Sequence, residues 1–357
     1  MSGLNENLPG RLGNPEATLA TDRRADPRII QVLEATGGFA PGLDPIEPDA
    51  PYEETLAYCA AFEEAAAQAH PQMLAMMPVL DNVARTTVTI KGVDANDITL
   101  YIHRPVASDG ALPCIVHTHG GGMVMMAAED PNFTRLRDSL ANMGMVAIGV
   151  EFRNGGGRLG NHPFPAGLND CASGVQWAHA NRAELGISSI VVAGESGGGN
   201  LCIATALKAK QEGWLEQIDG VFAMCPYISG EYANPPAELL SLRENNGYML
   251  DVEMMGALAT VYDPTGAHAT DPLAWPLHAQ AGDLEGLPPH VISVNELDPL
   301  RDEGLAYFRK LAAAGVPAVG RTSHGTPHAG DQGFPDVVPE VYDDLIRAIY
   351  GFARSVA

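Results

Sequence analysis

From Pro113 onward the chain alternates short apolar strands with helical stretches, and this rhythm restricts the available folds more than any other feature. Cys114–His117, Met145–Phe152, Ile190–Ala193, Gly220–Met224, Val291–Val294 and Ala318–Arg321 read as strands. Phe133–Met143, Leu168–Leu185, Leu201–Gln211, Asp302–Ala314 and Val341–Ala353 carry helical spacing between or after them. Strands that follow one another across a helix run parallel, and a parallel sheet has to bury both faces. The predicted class is α/β, a mostly parallel central sheet with helices on both faces. Upstream, the alternating runs Val83–Lys91 and Ile98–Arg104 flank a turn-like Gly92–Asn96 and predict an antiparallel strand pair. In an open sheet of this kind a ligand binds beyond the carboxyl ends of the strands.

Two segments stand outside the alternation. Residues 1–50 are rich in Pro and Gly and read as an extended arm with one short helix over Pro27–Thr36, followed by helical spacing over 52–77. Ser229 to Gly286 is too long for an ordinary connection and carries helical stretches at Ala237–Leu242 and Leu250–Tyr262. An insertion bounded by strands in this way reads as a lid over the carboxyl edge.

Composition removes several classes of function. A length of 357 residues and a hydrophobic content of 46% suit one large or two smaller globular domains. A net charge of −23 and only four lysines argue against nucleic acid or an anionic membrane as partner. No apolar run reaches 18 residues, and Met1–Arg28 lacks the apolar core of a secretory signal. Five widely spaced cysteines, four of them in apolar runs, suggest buried thiols and a cytoplasmic setting.

The chemistry concentrates at three corners. Gly194-Glu195-Ser196-Gly197-Gly198 joins the strand ending near Ala193 to the helix beginning near Leu201. A serine on so sharp a corner is exposed at the sheet edge beside outward-pointing helix N–H groups. Its hydroxyl needs a base, and the base needs an acid to hold its tautomer, in the chain order serine, acid, histidine. Asp298 follows the strand Val291–Val294 and precedes a proline, which suits a loop acid, whereas Asp302 and Glu303 suit capping of the next helix. Only His324 and His328 come later, and position alone does not choose between them. After the strand Cys114–His117, the run His119-Gly120-Gly121-Gly122 offers backbone N–H groups for an oxyanion, together with the residue after the serine. Neither His117/His119 nor His324/His328 has the further ligands of a metal site, and no phosphate or dinucleotide fingerprint follows the glycines. No cofactor and no metal are expected.

Taken together, His119–Gly122, Gly194–Gly198 with Gly199-Asn200-Leu201, and Asp298–Glu303 resemble the hormone-sensitive-lipase family of α/β-hydrolase carboxylesterases, closest to the brefeldin A esterase-like members. The resemblance covers roughly residues 80–355. It implies Ser196 as nucleophile, Asp298 as acid, and the N–H groups of Gly121, Gly122 and Gly197 as oxyanion hole. Its acid-to-histidine spacing matches His328, 30 residues after Asp298, rather than His324 at 26. Glu195 and Gly197 stand where the family more often has Asp and Ala, and a glycine loop at Arg153–Gly157 replaces its usual box. The implied organisation is an arm and cap helices over 1–80, a catalytic domain over 81–228 and 287–357, and a cap insertion over 229–286. The expected activity is hydrolysis of small to medium acyl esters through an acyl-enzyme, on a small-molecule substrate, with a homodimer left open. Met123, Met125 and Met126 are expected to form an apolar wall of the site. A silent binding protein on the same fold, or an amidase or acyltransferase with the same triad, are the alternatives.

Overall fold

The alternating runs form one sheet of eight strands among the described residues, which in this computed structural model are 8–36, 43–73 and 77–357. Parts of the expected arm (1–7 and 37–42) and residues 74–76 of the expected helix 52–77 lie outside them. The strands are β1 (Val83–Lys91), β2 (Asp97–Pro105), β3 (Leu112–Thr118), β4 (Val146–Val150), β5 (Ile187–Glu195), β6 (Gly220–Met224), β7 (His290–Asn295) and β8 (Ala318–Ser323). Their order is β1-β2-β4-β3-β5-β6-β7-β8; the pairs β1–β2 and β2–β4 are antiparallel and the rest parallel.

Both faces of the parallel strands are apolar because both are covered. In β5, Ile190 and Val192 pack with Cys114, Val116 and Ile148 on one face, against helices Ala166–Ala180 and Gly197–Glu212. Val191 and Ala193 point the other way, onto Leu136 and Leu140 of helix Pro131–Asn142 and onto helix Pro339–Ser355. In that last helix Tyr342, Leu345, Ile346, Ile349 and Ala353 are buried, a stripe at the 3.6-residue repeat.

Two helix starts depart from expectation by four residues, one of them at the serine corner. The helix expected from Leu201 begins at Gly197, because the packing of the corner against β3 holds a glycine run helical despite its poor propensity. In the insertion, the stretch expected at Ala237–Leu242 is helical only over Ser241–Glu244, and Val252–Tyr262 forms the longer helix.

The strand order reverses at β3 and β5, where the chain first adds β4 on one side and then β5 on the other. Such a switch point opens a crevice at the carboxyl edge. Since β3 and β5 pair in parallel up to Thr118 and Gly194, the residues after each strand emerge side by side.

Candidate active site

The corner after β5 is built by clearance. Ser196 has φ 56° and ψ −119°, a strained conformation for a residue with a side chain. It is held because Ser196 N–H donates to Met224 O (2.9 Å) while its own carbonyl accepts Tyr227 N–H (3.1 Å). A Cβ on Gly198 would lie 1.9 Å from Thr118 O, and one on Gly194 2.4 Å from Gly198 O. The elbow can approach β3 this closely only with hydrogen at both positions.

The loop after β3 lies against this corner. An ideal Cβ on Gly120 would be 3.6 Å from Ser196 Cβ, and one on Gly197 would be 2.7 Å from Gly122 N and 2.5 Å from Met123 N. Alanine at 197 therefore collides with the loop as it is folded here, which gives a physical reason for glycine at this position. Gly121 (φ +106°) and Gly122 (φ +63°) turn the loop back on itself, and Val124 and Met125 N–H both donate to Gly121 O. Among the described residues no acceptor takes the N–H of Gly121 or Gly122. His119 stacks on Phe152 at 4.2 Å; burial pushes its pKa down to about 3, so the ring is neutral and Nδ1–H donates to Gly120 O (2.7 Å).

Asp298 and His328 arrive from β7 and β8. Asp298 is fully buried; its Oδ2 accepts His328 Nδ1–H at 2.8 Å and its Oδ1 accepts Leu300 N–H at 2.9 Å. One carboxylate thus closes a turn just ahead of the helix Arg301–Ala313 and grips the imidazole. Capping expected of Asp302 and Glu303 is not what they do: Asp302 accepts Ser241 N–H, and Glu303 accepts Ile228 N–H and Tyr232 O–H. Ser241 and Tyr232 lie in the long connection between β6 and β7, which these bonds tie to the helix Arg301–Ala313, and burial lifts the Glu303 pKa to about 8. The second candidate, His324, has 78% of its side chain exposed and faces Glu296 at 3.2 Å. Burial disfavours a charged His328, but the carboxylate of Asp298 outweighs it and raises the imidazole well above its ordinary pKa. Cys225 is the third neighbour, its Sγ within 4.8 Å of the ligating atoms of Asp298 and His328. Those two are already bonded to each other, and burial raises the Cys225 thiol, which keeps it neutral.

Ser196 and His328 line one cavity of about 410 Å³ with Gly120, Gly121 and Gly122. Tyr58, Phe62, Met125, Met126, Phe133 and Leu258 supply much of its apolar wall. Met123 is not in that wall; its side chain is buried and only its backbone faces the corner. The glycine loop after β4 backs it: Gly155 and Gly156 N–H donate to Met123 O and Val124 O. Sequence reading overlooked Arg137, wholly buried behind the corner; the available signal was an arginine next to Leu136 on a helix whose apolar positions are Phe133, Leu136 and Leu140.

A family model described as alpha/beta hydrolase fold matches residues 115–331. The chain is similar in structure to brefeldin A esterase, a bacterial homologue of human hormone-sensitive lipase, with TM-score 0.93 and 43% identity over 98% of both chains. Esterase Est22 superposes with TM-score 0.83 at 37% identity, covering 94% of this chain and 99% of that one. Carboxylesterase NlhH of Mycobacterium tuberculosis is 31% identical over 286 residues, 79% of this chain and 85% of the relative. With its eight-stranded sheet and its serine at the β5 corner, the chain belongs to the hormone-sensitive-lipase family of α/β-hydrolase carboxylesterases.

Proposed function

We propose that the protein hydrolyses esters of small to medium acyl groups through a Ser196–His328–Asp298 triad and an acyl-enzyme. The observation that carries this reading is the bond from His328 Nδ1–H to Asp298 Oδ2 (2.8 Å), with Ser196 on the same cavity. That bond commits Nδ1 as donor and leaves the Nε2 lone pair to take the serine proton. Ser196 Oγ attacks the ester carbonyl, and the N–H groups of Gly121, Gly122 and Gly197 receive the oxyanion. The imidazolium then protonates the leaving alcohol. Water, deprotonated by the same imidazole, cleaves the acyl-enzyme.

The reading extends to organisation, with residues 1–80 and 229–286 as a cap over 81–228 and 287–357. It is supported by cavity residues drawn from both cap segments: Tyr58 and Phe62 from helix Tyr52–Met73, and Met254, Met255 and Leu258 from helix Val252–Tyr262. A chamber of this size with methionine and aromatic walls suits acyl chains of modest length.

Ser196→Ala is expected to lower kcat on p-nitrophenyl butyrate by about 10⁶-fold. The wild type should take up one fluorophosphonate per chain, on Ser196. Turnover retained by a folded Ser196→Ala variant would end the mechanism. Across p-nitrophenyl esters, kcat/KM should peak at short to medium acyl chains.

A further inference from the structure

Behind the serine corner lies a buried polar chain that the triad does not use. Both oxygens of Glu195 are occupied: Oε1 accepts Gly120 N–H at 2.8 Å, and Oε2 meets His117 Nε2 at 2.9 Å. The other His117 nitrogen, Nδ1, lies 3.3 Å from Arg137 Nη1. A guanidinium can only donate, so Nδ1 is an acceptor and the proton of His117 sits on Nε2, aimed at Glu195. Arg137 also donates through Nε to His103 Nε2 (3.3 Å), and His103 Nδ1–H reaches Asp138 (2.8 Å). The cation therefore stands between two imidazole–carboxylate pairs, neither carboxylate touching it directly. Burial pulls the Arg137 pKa down to about 10 against the attraction of Glu151, Glu195 and Asp138. The space it occupies requires a glycine opposite: a Cβ on Gly149 would sit 2.8 Å from the guanidinium.

Glu195 is adjacent to Ser196, while Gly120 immediately precedes the two glycines whose N–H groups are free of acceptors among the described residues. One carboxylate thus ties the nucleophile's strand to the loop at the point where the loop must hold its register. We propose that Glu195 is a positioning residue for the oxyanion hole, and that Arg137, acting through the tautomer of His117, keeps its carboxylate aligned. The inference rests on the triad reading above and goes beyond it.

Replacing the carboxylate by an amide, Glu195→Gln, tests the alignment atom by atom. If the amide carbonyl keeps Gly120 N–H, the NH₂ faces the N–H of His117, donor against donor. Turning the amide round exposes Gly120 N–H to the NH₂ instead. One bond has to break in either orientation, so Glu195→Gln should lower kcat on p-nitrophenyl butyrate by about 10- to 100-fold, below the loss for a deleted oxyanion donor. KM should stay within about threefold, and the Ki of a trifluoromethyl ketone, which forms an oxyanion adduct on Ser196, should rise by the same factor as kcat falls. A general loosening of the corner would raise KM without that match. Adding Arg137→Met frees His117 to move its proton to Nδ1 and accept from the introduced amide, so the double variant should regain most of the lost kcat.

A folded Glu195→Gln variant with kcat within about twofold of wild type overturns the proposal. So does a loss of kcat without matching loss of ketone affinity. If the single variant does not fold, the double variant decides: kcat within about tenfold of wild type supports the relay, and anything lower overturns it. Failure of the wild type to hydrolyse esters or react with fluorophosphonate would instead strike the triad reading, separately from these variants.

Discussion

The two sides of the crevice are held by different physics. On the β3–β5 side, apart from the Glu195 tie to Gly120, geometry comes from backbone and absent side chains: Ser196, Met123 and Met126 all have positive φ, and Gly194, Gly197 and Gly198 have no room for a Cβ. On the β7–β8 side, geometry comes from side-chain hydrogen bonds between loops. Asn295 reaches Thr326 Oγ1 at 2.8 Å, and Asn245 Nδ2 donates to Asp298 O at 3.1 Å. Arg301 bonds both Glu244 and Glu296 O, and from the amino-terminal arm Arg24 joins the same Glu244; a single backbone bond from that arm, Asp26 N–H to Gly325 O at 2.9 Å, adds to these. A backbone corner is all or none, since any added atom must displace the sheet. A loop tied by side chains loses one bond at a time. Adding atoms to the corner on the first side should therefore cost stability and chemistry together, whereas on the second side chemistry can be lost without stability.

The largest effect expected of that difference is on chemistry without folding. Asp298→Asn should lower kcat by about 10⁴-fold, because an amide can present its NH₂ to His328 and fix the wrong tautomer, while the melting temperature, taken at a pH where His328 is neutral, changes little. The pH profile sharpens the point. A His328 pKa raised well above 6.5 places the acid limb of kcat/KM above pH 6.5, activity being lost as pH falls and the base is protonated. Without the Asp298 charge that limb should move to lower pH. Stability runs the opposite way. The protonated His328 stabilises the fold fully below the unfolded pKa of about 6.5, and that contribution is lost as pH rises through the higher folded value.

On the backbone side, Gly198→Ala should cost about 3 kcal/mol or more in denaturant unfolding and reduce activity together with it, since its Cβ would lie 1.9 Å from Thr118 O. A Gly198→Ala variant that is as stable as wild type but inactive would break the comparison. The arm offers a smaller test. Arg24→Ala removes one of two cations on the buried Glu244, with Arg301 remaining, and should lower stability by about 1 kcal/mol and kcat by a few-fold. Smallest of all, His324→Ala should leave kcat within about twofold, because that side chain is exposed and faces Glu296 rather than Asp298. A large loss there would transfer the base assignment to His324.

Much of the sheet was legible because burial on two faces writes itself as continuous apolar runs: the expected limits of β1 and β6 coincide with those observed, and the others shift by a few residues at their ends. Where glycines line up, local signals mislead, and the helix after Ser196 was expected four residues too late. The role given to Asp302 and Glu303 was misjudged for a related reason. Their proximity to a helix start was visible, but Ser241, Ile228 and Tyr232 approach them from about 60–75 residues away along the chain.

By itself, the sequence determined the class of sheet, the glycine-flanked serine corner and the loop that carries Asp298, since each depends on periodicity or on spacing within a few residues. Only tertiary structure decided that His328 rather than His324 meets Asp298, and that Arg137 is buried behind Glu195. Those outcomes depend on how strands 30 to 100 residues apart are brought to one edge, and the free energy of a buried hydrogen bond or charge is set by the neighbours found there.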